Sequence, residues 1–173
     1  IKRYILKYLG GSGAEVPLEA LDDAAVINDI VLKSDSHAVR PLFFPGGDIG
    51  RLAVTGTVND IAVLGAEPVA LTSGFVLEEG FAIADFERIV HSMGEACGEA
   101  GVYVITGDTK VVEKGTLGGC VINTSGIGRR NQALEHNIRI VKKYRQEFNS
   151  RWLLDSNLRP RDKIILSGTI GDH

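Results

Sequence analysis

Cysteine is scarce in this chain. Only Cys97 and Cys120 occur, and their separation fits neither a zinc site nor a dithiol redox motif, so a disulfide scaffold and a cysteine-based metal module are both excluded. The two thiols read as reduced, small core residues. Long hydrophobic runs are also missing: nowhere do about 18 apolar residues follow one another, which argues against a membrane-spanning helix. The opening residues Ile1-Lys2-Arg3-Tyr4-Ile5 do not have the form of a signal peptide, and the expectation is a soluble cytoplasmic protein without a membrane partner. Positive charge is in deficit. A net charge of -3 and a pI near 5.8 speak against nucleic acid as the main partner, since neutralising a phosphate backbone needs a basic face. Residues 129–161 are the one basic-rich stretch, but apolar residues interleave with the charges, as on a solvated helical face. No GxxxxGK[ST] loop is present. Gly10-Gly11-Ser12-Gly13 follows no strand and has the wrong spacing for a dinucleotide fingerprint, and it reads as a linker, with a flexible lid as the alternative. His91 has no second His or Cys at ligand spacing.

What is there suits one substantial core. At 173 residues with 44% hydrophobic residues and a mean hydropathy of +0.07, the chain fits one domain or a little more. Lys2 to Leu9 carries apolar residues at helical spacing. Ala24 to Ile27 and Ile30 to Lys33, separated by Asn28-Asp29, predict a hairpin with a two-residue turn. The loop Pro41-Leu42-Phe43-Phe44-Pro45 looks exposed and ends at Asp48, which can cap a helix running to Gly65, with Ile49, Leu52, Ala53, Gly56, Ala62 and Leu64 on its apolar side. Val69 to Val76 predicts a strand. Ala84 to Ala100 is the clearest helix, with Phe86, Ile89, Val90, Met93, Ala96 and Ala100 inward and Gly101 as its stop. Val102 to Thr106 predicts a short buried strand ending at Gly107-Asp108, with Gly119 to Ile127 as its hairpin-like partner. Helical composition follows over Asn131 to Phe148, and then a strand at Lys163 to Leu166. This order predicts an α+β fold, a sheet covered by helices on one face, and sheet-to-sheet homodimerisation is the simplest cover for the other face.

Four carboxylate motifs carry the chemistry. They are Asp22-Asp23 before Ala24-Ala25-Val26, Asp35 within Ser34-Asp35-Ser36, Asn59-Asp60 inside a small and apolar helix, and Asp108 in Gly107-Asp108-Thr109-Lys110. An ionised carboxylate in apolar surroundings needs a cation or donors, so Asp60 requires a partner. Oxygen ligands without a His or Cys cluster suit Mg²⁺, which keeps water and substrate phosphates in its shell; Thr109 and Lys110 could meet those phosphates as a hydroxyl donor and a point charge. Turn-forming and capping Asp residues scattered over the surface are the alternative. The hairpin would bring Asp22-Asp23 and Asp35 to one end of its ladder.

These motifs, together with Pro41 to Gly50, Gly74 to Gly80, Thr106 to Glu113 and Leu166 to His173, resemble those of the PurM-like, or AIR synthase, ATP-binding superfamily, and within it the HypE family of hydrogenase maturation factors. The match runs from about Asp22 to Gly128 and resumes at Arg159. The resemblance implies a PurM N-terminal-like domain with a mixed or antiparallel sheet, dimerising sheet to sheet. It implies ATP and Mg²⁺ as cofactors, with Asp23, Asp35, Asp60 and Asp108 at metal positions. Asp22, Asp23, Asn59, Gly107, Thr109 and Lys110 would meet the nucleotide, and Lys110 and Asp60 would serve catalysis; which of Asp22 and Asp23 binds metal stays open. The implied activity is ATP-dependent dehydration of a cysteine S-carboxamide to thiocyanate, which supplies cyanide to [NiFe] hydrogenase. The implied partners are the carbamoyltransferase HypF and the HypC-HypD complex. A thiamine-phosphate or selenophosphate type of enzyme, or a non-catalytic dimerisation module, are the competing expectations. The chain would then be a nucleotide-binding domain over 1–158 and the start of a truncated second domain over 159–173, inactive by itself. The helical segment at about 130–157 is longer than the resemblance leads one to expect and reads as surface decoration, with a docking helix or dimer extension as alternatives.

Overall fold

The computed structural model describes residues 2–166 and 168–170. Ser167 and residues 171–173, part of the last resembling motif, lie outside the described residues. Five strands form one mixed sheet in the order β1-β2-β7-β5-β6, with β1 at Ala25–Ile27, β2 at Ile30–His37, β5 at Glu67–Glu78, β6 at Tyr103–Val112 and β7 at Cys120–Arg129. A small pair, β3 (Phe43–Phe44) and β4 (Gly47–Asp48), stands apart. After the short α1 (Lys7–Leu9), three longer helices follow: α2 (Ile49–Ala62), α3 (Ile83–Ala100) and α4 (Gln132–Tyr144).

The β1–β2 hairpin forms as the pattern predicts. Asn28 and Asp29 both take positive φ, at 52° and 63°, and Ile27 pairs with Ile30 across them, which is the backbone a two-residue hairpin turn requires. Asp48 caps α2, its Oδ1 accepting from the backbone N–H of Gly50 at 2.7 Å and of Arg51 at 3.0 Å. The side of α2 that packs inward is Ile49, Ala53, Val54, Thr57 and Ile61, whereas Leu52 and Ala62 are exposed. In α3 the inward side is Ile89, Met93, Ala96 and Cys97, with Phe86 edge-on to Phe75 at 5.2 Å; Val90 and Ala100 point outward. The loop with two Phe is less exposed than expected, because Leu42 and Phe43 pack against the core and the Arg88 guanidinium lies 3.9 Å over the Phe43 ring.

Three expectations are corrected. Strand β7 is not the hairpin partner of β6: it pairs antiparallel with both β2 and β5, and β6 lies parallel to β5 beyond it. A parallel pair needs a crossover, and α3 supplies it. Strand β6 also runs on to Val112, so Asp108 sits within an exposed edge strand and not at a strand end. Lys163 to Leu166 forms no strand; Ile164 and Ile165 are exposed and have no neighbouring strand to complete a ladder among the described residues.

The helical segment after β7 is part of the core. Leu134 and Ile138 of α4, with Phe148 and Trp152 beyond it, are buried together with Val16, Val26, Val31, Ile61 and Leu64. Burying one such aliphatic side chain stabilises by about 1.5–3 kcal/mol, so this segment is an integral wall of the helix-covered side, not decoration. A second cluster joins α2, α3 and the sheet through Ile49, Val54, Leu71, Ile89 and Ile122. At Gly126 of β7 a Cβ would come 2.7 Å from Ile61 Cδ1 and 2.9 Å from Thr57 Cγ2. That close approach is what seats α2 on the sheet.

Candidate functional site

Strand alternation decides which side chains of β2 meet α2. Val31, Lys33, Asp35 and His37 turn toward the helices, while Ile30, Leu32, Ser34 and Ser36 turn to the open side. Opposite them α2 presents Asp60 and Thr57. Lys33 Nζ lies 2.5 Å from Asp60 Oδ2 and 3.3 Å from Asp35 Oδ1, and all three side chains are partly buried. Burial alone would push the Lys33 ammonium down, but hydrogen bonds to Asp60 and Asp35 and the charges of both outweigh it, and the net direction is up. The partner that Asp60 required is therefore Lys33.

His37 continues the same face. Its Nε2 is 3.3 Å from Thr124 Oγ1, which is also 2.6 Å from Thr57 Oγ1 and donates to the Ala53 carbonyl at 3.0 Å. A hydroxyl has one proton, and a carbonyl can only accept. Thr124 therefore accepts from Thr57 and from His37, which places the His37 proton on Nε2. Burial holds the His37 pKa below its ordinary value, against the opposing charges of Asp35 and Asp60.

Beside this cluster runs a groove of about 420 Å³ whose lining includes Asp22, Asp23, Ala25, Leu32, Lys33 and Ser34. The hairpin thus delivers the Asp22-Asp23 end of β1 next to Lys33. Asp22 is tied into the backbone: it accepts from Asp23 N at 2.9 Å and from Asp155 N at 3.3 Å. Burial raises its pKa, and the neighbouring Asp155 carboxylate adds to the rise. Asp23 is exposed at the groove.

Asp108 and Lys110 are placed elsewhere. Across the sheet, Asp35 aligns with Thr124, Ser73 and Gly107, whereas Asp108 aligns with Gly74, Asn123 and Ser36, one residue along and hence on the open side. Three strand steps, about 14 Å at the usual spacing, separate β2 from β6. Thr109 aligns with Phe75 on the helix side. At Gly107 a Cβ would come 2.0 Å from the Ser73 carbonyl oxygen, so close strand packing alone accounts for glycine there. Asn59 is exposed on α2. Within one chain, then, Asp35 and Asp60 come together with Asp22 and Asp23 nearby, and Asp108, Thr109 and Lys110 form a separate edge.

Asp35 and Asp60 offer two carboxylates from different elements to one cation, which is the donor chemistry of Mg²⁺ completed by substrate phosphates. The cation between them here is the Lys33 ammonium. Among the described residues no three His, Cys, Asp or Glu side chains gather as a metal site. Lys33, His37, Thr57 and Thr124 had no assigned role in the sequence, although the spacing of Lys33, Asp35 and His37 two apart along a strand marks one shared face.

Residues 21–130 match the AIR synthase related protein, N-terminal domain. The chain is 51% identical over 144 residues to the carbamoyl dehydratase HypE of Azotobacter vinelandii, an alignment covering 83% of this chain and 37% of that protein. It is also similar to HypE in a crystallised HypE-HypF complex, with a TM-score of 0.65 and 55% identity over 66% of this chain and 38% of the other. Hydrogenase maturation protein HypE in complex with ATP gives a TM-score of 0.59 and 52% identity, covering 66% of this chain and 35% of the other. The chain thus spans well under half the length of these relatives.

Proposed function

The chain belongs to the AIR synthase related protein family through its N-terminal domain, and from that premise we propose that it is the nucleotide-binding part of an ATP-dependent carbamoyl dehydratase of the HypE type. The observation that carries this reading is the clustering of Asp35, Asp60 and Lys33 beside a groove edged by Asp22 and Asp23, in a chain half identical to carbamoyl dehydratases. The HypE-ATP complex among its relatives supports ATP as the nucleotide. Asp35 and Asp60 would hold Mg²⁺, which when bound neutralises phosphate charge; Asp23, exposed on the groove, is the further carboxylate proposed for the metal, although it does not gather with the pair in this structure. Asn59 and the Gly107-Asp108-Thr109-Lys110 edge are assigned to the nucleotide and its metal as well.

The chemistry asked of such a site is a dehydration. An amide oxygen is a poor leaving group; transfer of the γ-phosphoryl group to the oxygen of a cysteine S-carboxamide gives ADP and an O-phosphorylated imidate. Breaking the C–O bond with loss of the nitrogen proton then releases inorganic phosphate and leaves a thiocyanate. The chain's own contribution is positioning and charge: Asp60 is oriented by Lys33, and Lys110 is the candidate to meet developing phosphate charge.

HypF is the proposed carbamoyl donor partner, supported by the HypE-HypF complex, and the HypC-HypD complex is the proposed acceptor. A sheet-to-sheet homodimer is supported by the open side of the sheet, which exposes Ile30, Leu32 and Ile127. Residues 1–158 are assigned to this domain and 159–173 to the start of a second, and a cytoplasmic location is part of the same proposal. Among the described residues no helix is long and apolar enough to cross a membrane. The test is mass spectrometry of the whole protein incubated with HypF, a small-molecule carbamoyl donor and ATP. A cysteine that gains a carboxamide and then loses one water supports the assignment, and a carboxamide that persists with ATP present refutes it.

A further inference from the structure

The Asp35–Asp60 pair is not vacant toward a metal ion, because a side chain of the same chain already neutralises it. Among the described residues, Lys33 is the cation paired with both carboxylates, at 3.3 and 2.5 Å. An ammonium at those distances and a Mg²⁺ ion, which needs oxygens at about 2.0–2.1 Å, compete for one space. Lys33 is also one of the residues lining the neighbouring groove, with Asp22, Asp23 and Ser34. Its four-carbon stem is flexible, and the groove beside the carboxylates is where a displaced ammonium would go.

We infer that Lys33 is an internal counter-cation that keeps the Asp35–Asp60 pair closed to a divalent ion until a polyphosphate in the groove draws its ammonium away. With Lys33 between them the two carboxylates keep one net negative charge. A divalent ion arriving alone expels the ammonium and brings no anion that holds metal and ammonium together. Arriving with a polyphosphate, it brings that anion, and the displaced ammonium is re-paired. Metal and nucleotide therefore bind with positive coupling, and Lys33 is the residue through which the coupling acts. Lys33 is thus a positioning residue, and this role rests on the reading that Asp35 and Asp60 take the metal that accompanies the nucleotide.

The test is Mn²⁺ binding, followed by the electron paramagnetic resonance of free Mn²⁺, for the protein and for Lys33→Met, with and without the non-hydrolysable analogue AMPPCP. Without nucleotide, Lys33→Met should bind Mn²⁺ about tenfold more tightly, the factor expected for removing one close charge competitor, and AMPPCP should strengthen Mn²⁺ binding more in the unaltered protein than in the variant. Equal affinities without nucleotide, with AMPPCP still promoting Mn²⁺ binding, would overturn the role of Lys33 and leave the metal site standing. Absence of Mn²⁺ binding by either protein, even with AMPPCP, would overturn the site reading itself. Should Lys33→Met fail to fold, the unaltered protein answers: the ¹⁵N resonance of Lys33 Nζ, assigned by its loss in Lys33→Arg, should move when Mg²⁺ and AMPPCP are added together and stay with Mg²⁺ alone. A resonance indifferent to both contradicts the displacement.

Discussion

Replacing Gly126 by Ala tests how the site is assembled, because Gly126 is where α2 lies closest to the sheet. The added methyl would lie 2.7 Å from Ile61 Cδ1, 2.9 Å from Leu71 Cδ2 and 2.9 Å from Thr57 Cγ2. All three neighbours are fully or almost fully buried, and Thr57 is further held by its hydrogen bond to Thr124. The clash cannot be relieved by one rotamer change, so α2 must lift. Overpacking of this kind costs about 1–3 kcal/mol, and for a chain of this size that lowers the melting temperature by about 2–12 °C. Gly94→Ala, in α3, meets nothing within 4 Å and should instead stabilise by about 0.4–1 kcal/mol through helix propensity and unfolded-chain entropy. Thermal unfolding followed by circular dichroism compares the two. A Gly126→Ala protein as stable as the unaltered one would refute the close seating of α2, and with it the geometry that brings Asp60 to Lys33.

Trp152→Ala should destabilise by about 3–5 kcal/mol, the loss for a buried aromatic; denaturant unfolding showing a change under about 0.5 kcal/mol would return the 130–157 segment to the surface. Because burial depresses the His37 pKa below its ordinary 6.5, the unfolded chain binds the extra proton first as pH falls. The stability contributed by neutral His37 is therefore present above 6.5 and lost on acidification through the depressed value. Melting curves at descending pH should show this loss in the unaltered protein and a smaller one in His37→Gln; identical pH profiles would contradict it. Burial pushes the Cys120 thiol up to about 11 and raises that of Cys97, so neither should react with iodoacetamide at neutral pH in the folded protein. Rapid labelling of either under native conditions would count against their place in the core.

Much of the fold was legible because local chemistry and tertiary structure agree. Asn28-Asp29 supports only one kind of tight hairpin turn, Asp48 is a cap wherever a helix follows, and the period of α3 admits one buried stripe. Pairing was not legible, because β7 has the composition of a partner for either β5 or β6 and only the crossover by α3 sends β6 to the far side of β5. Nor was the place of α4: Leu134 and Ile138 mark an amphipathic helix, but nothing local says that Trp152 closes over them. At the site, the acidic residues stood out by type, while Lys33 passed as a charge in a strand. Its role appears only when Asp60, 27 positions later, is folded across from it. The same three-dimensional step separates Asp108 from Asp35, since one residue of register along β6 is the difference between the two sides of the sheet.

The Asp35–Lys33–Asp60 cluster and its groove are proposed to receive a magnesium-bound triphosphate. Isothermal titration of the protein with Mg²⁺-ATP, alongside Asp60→Asn, tests it most directly. A saturable heat is expected for the unaltered protein, and it should disappear in the variant while the variant's circular dichroism spectrum is retained. The same binding heat in both proteins would contradict it.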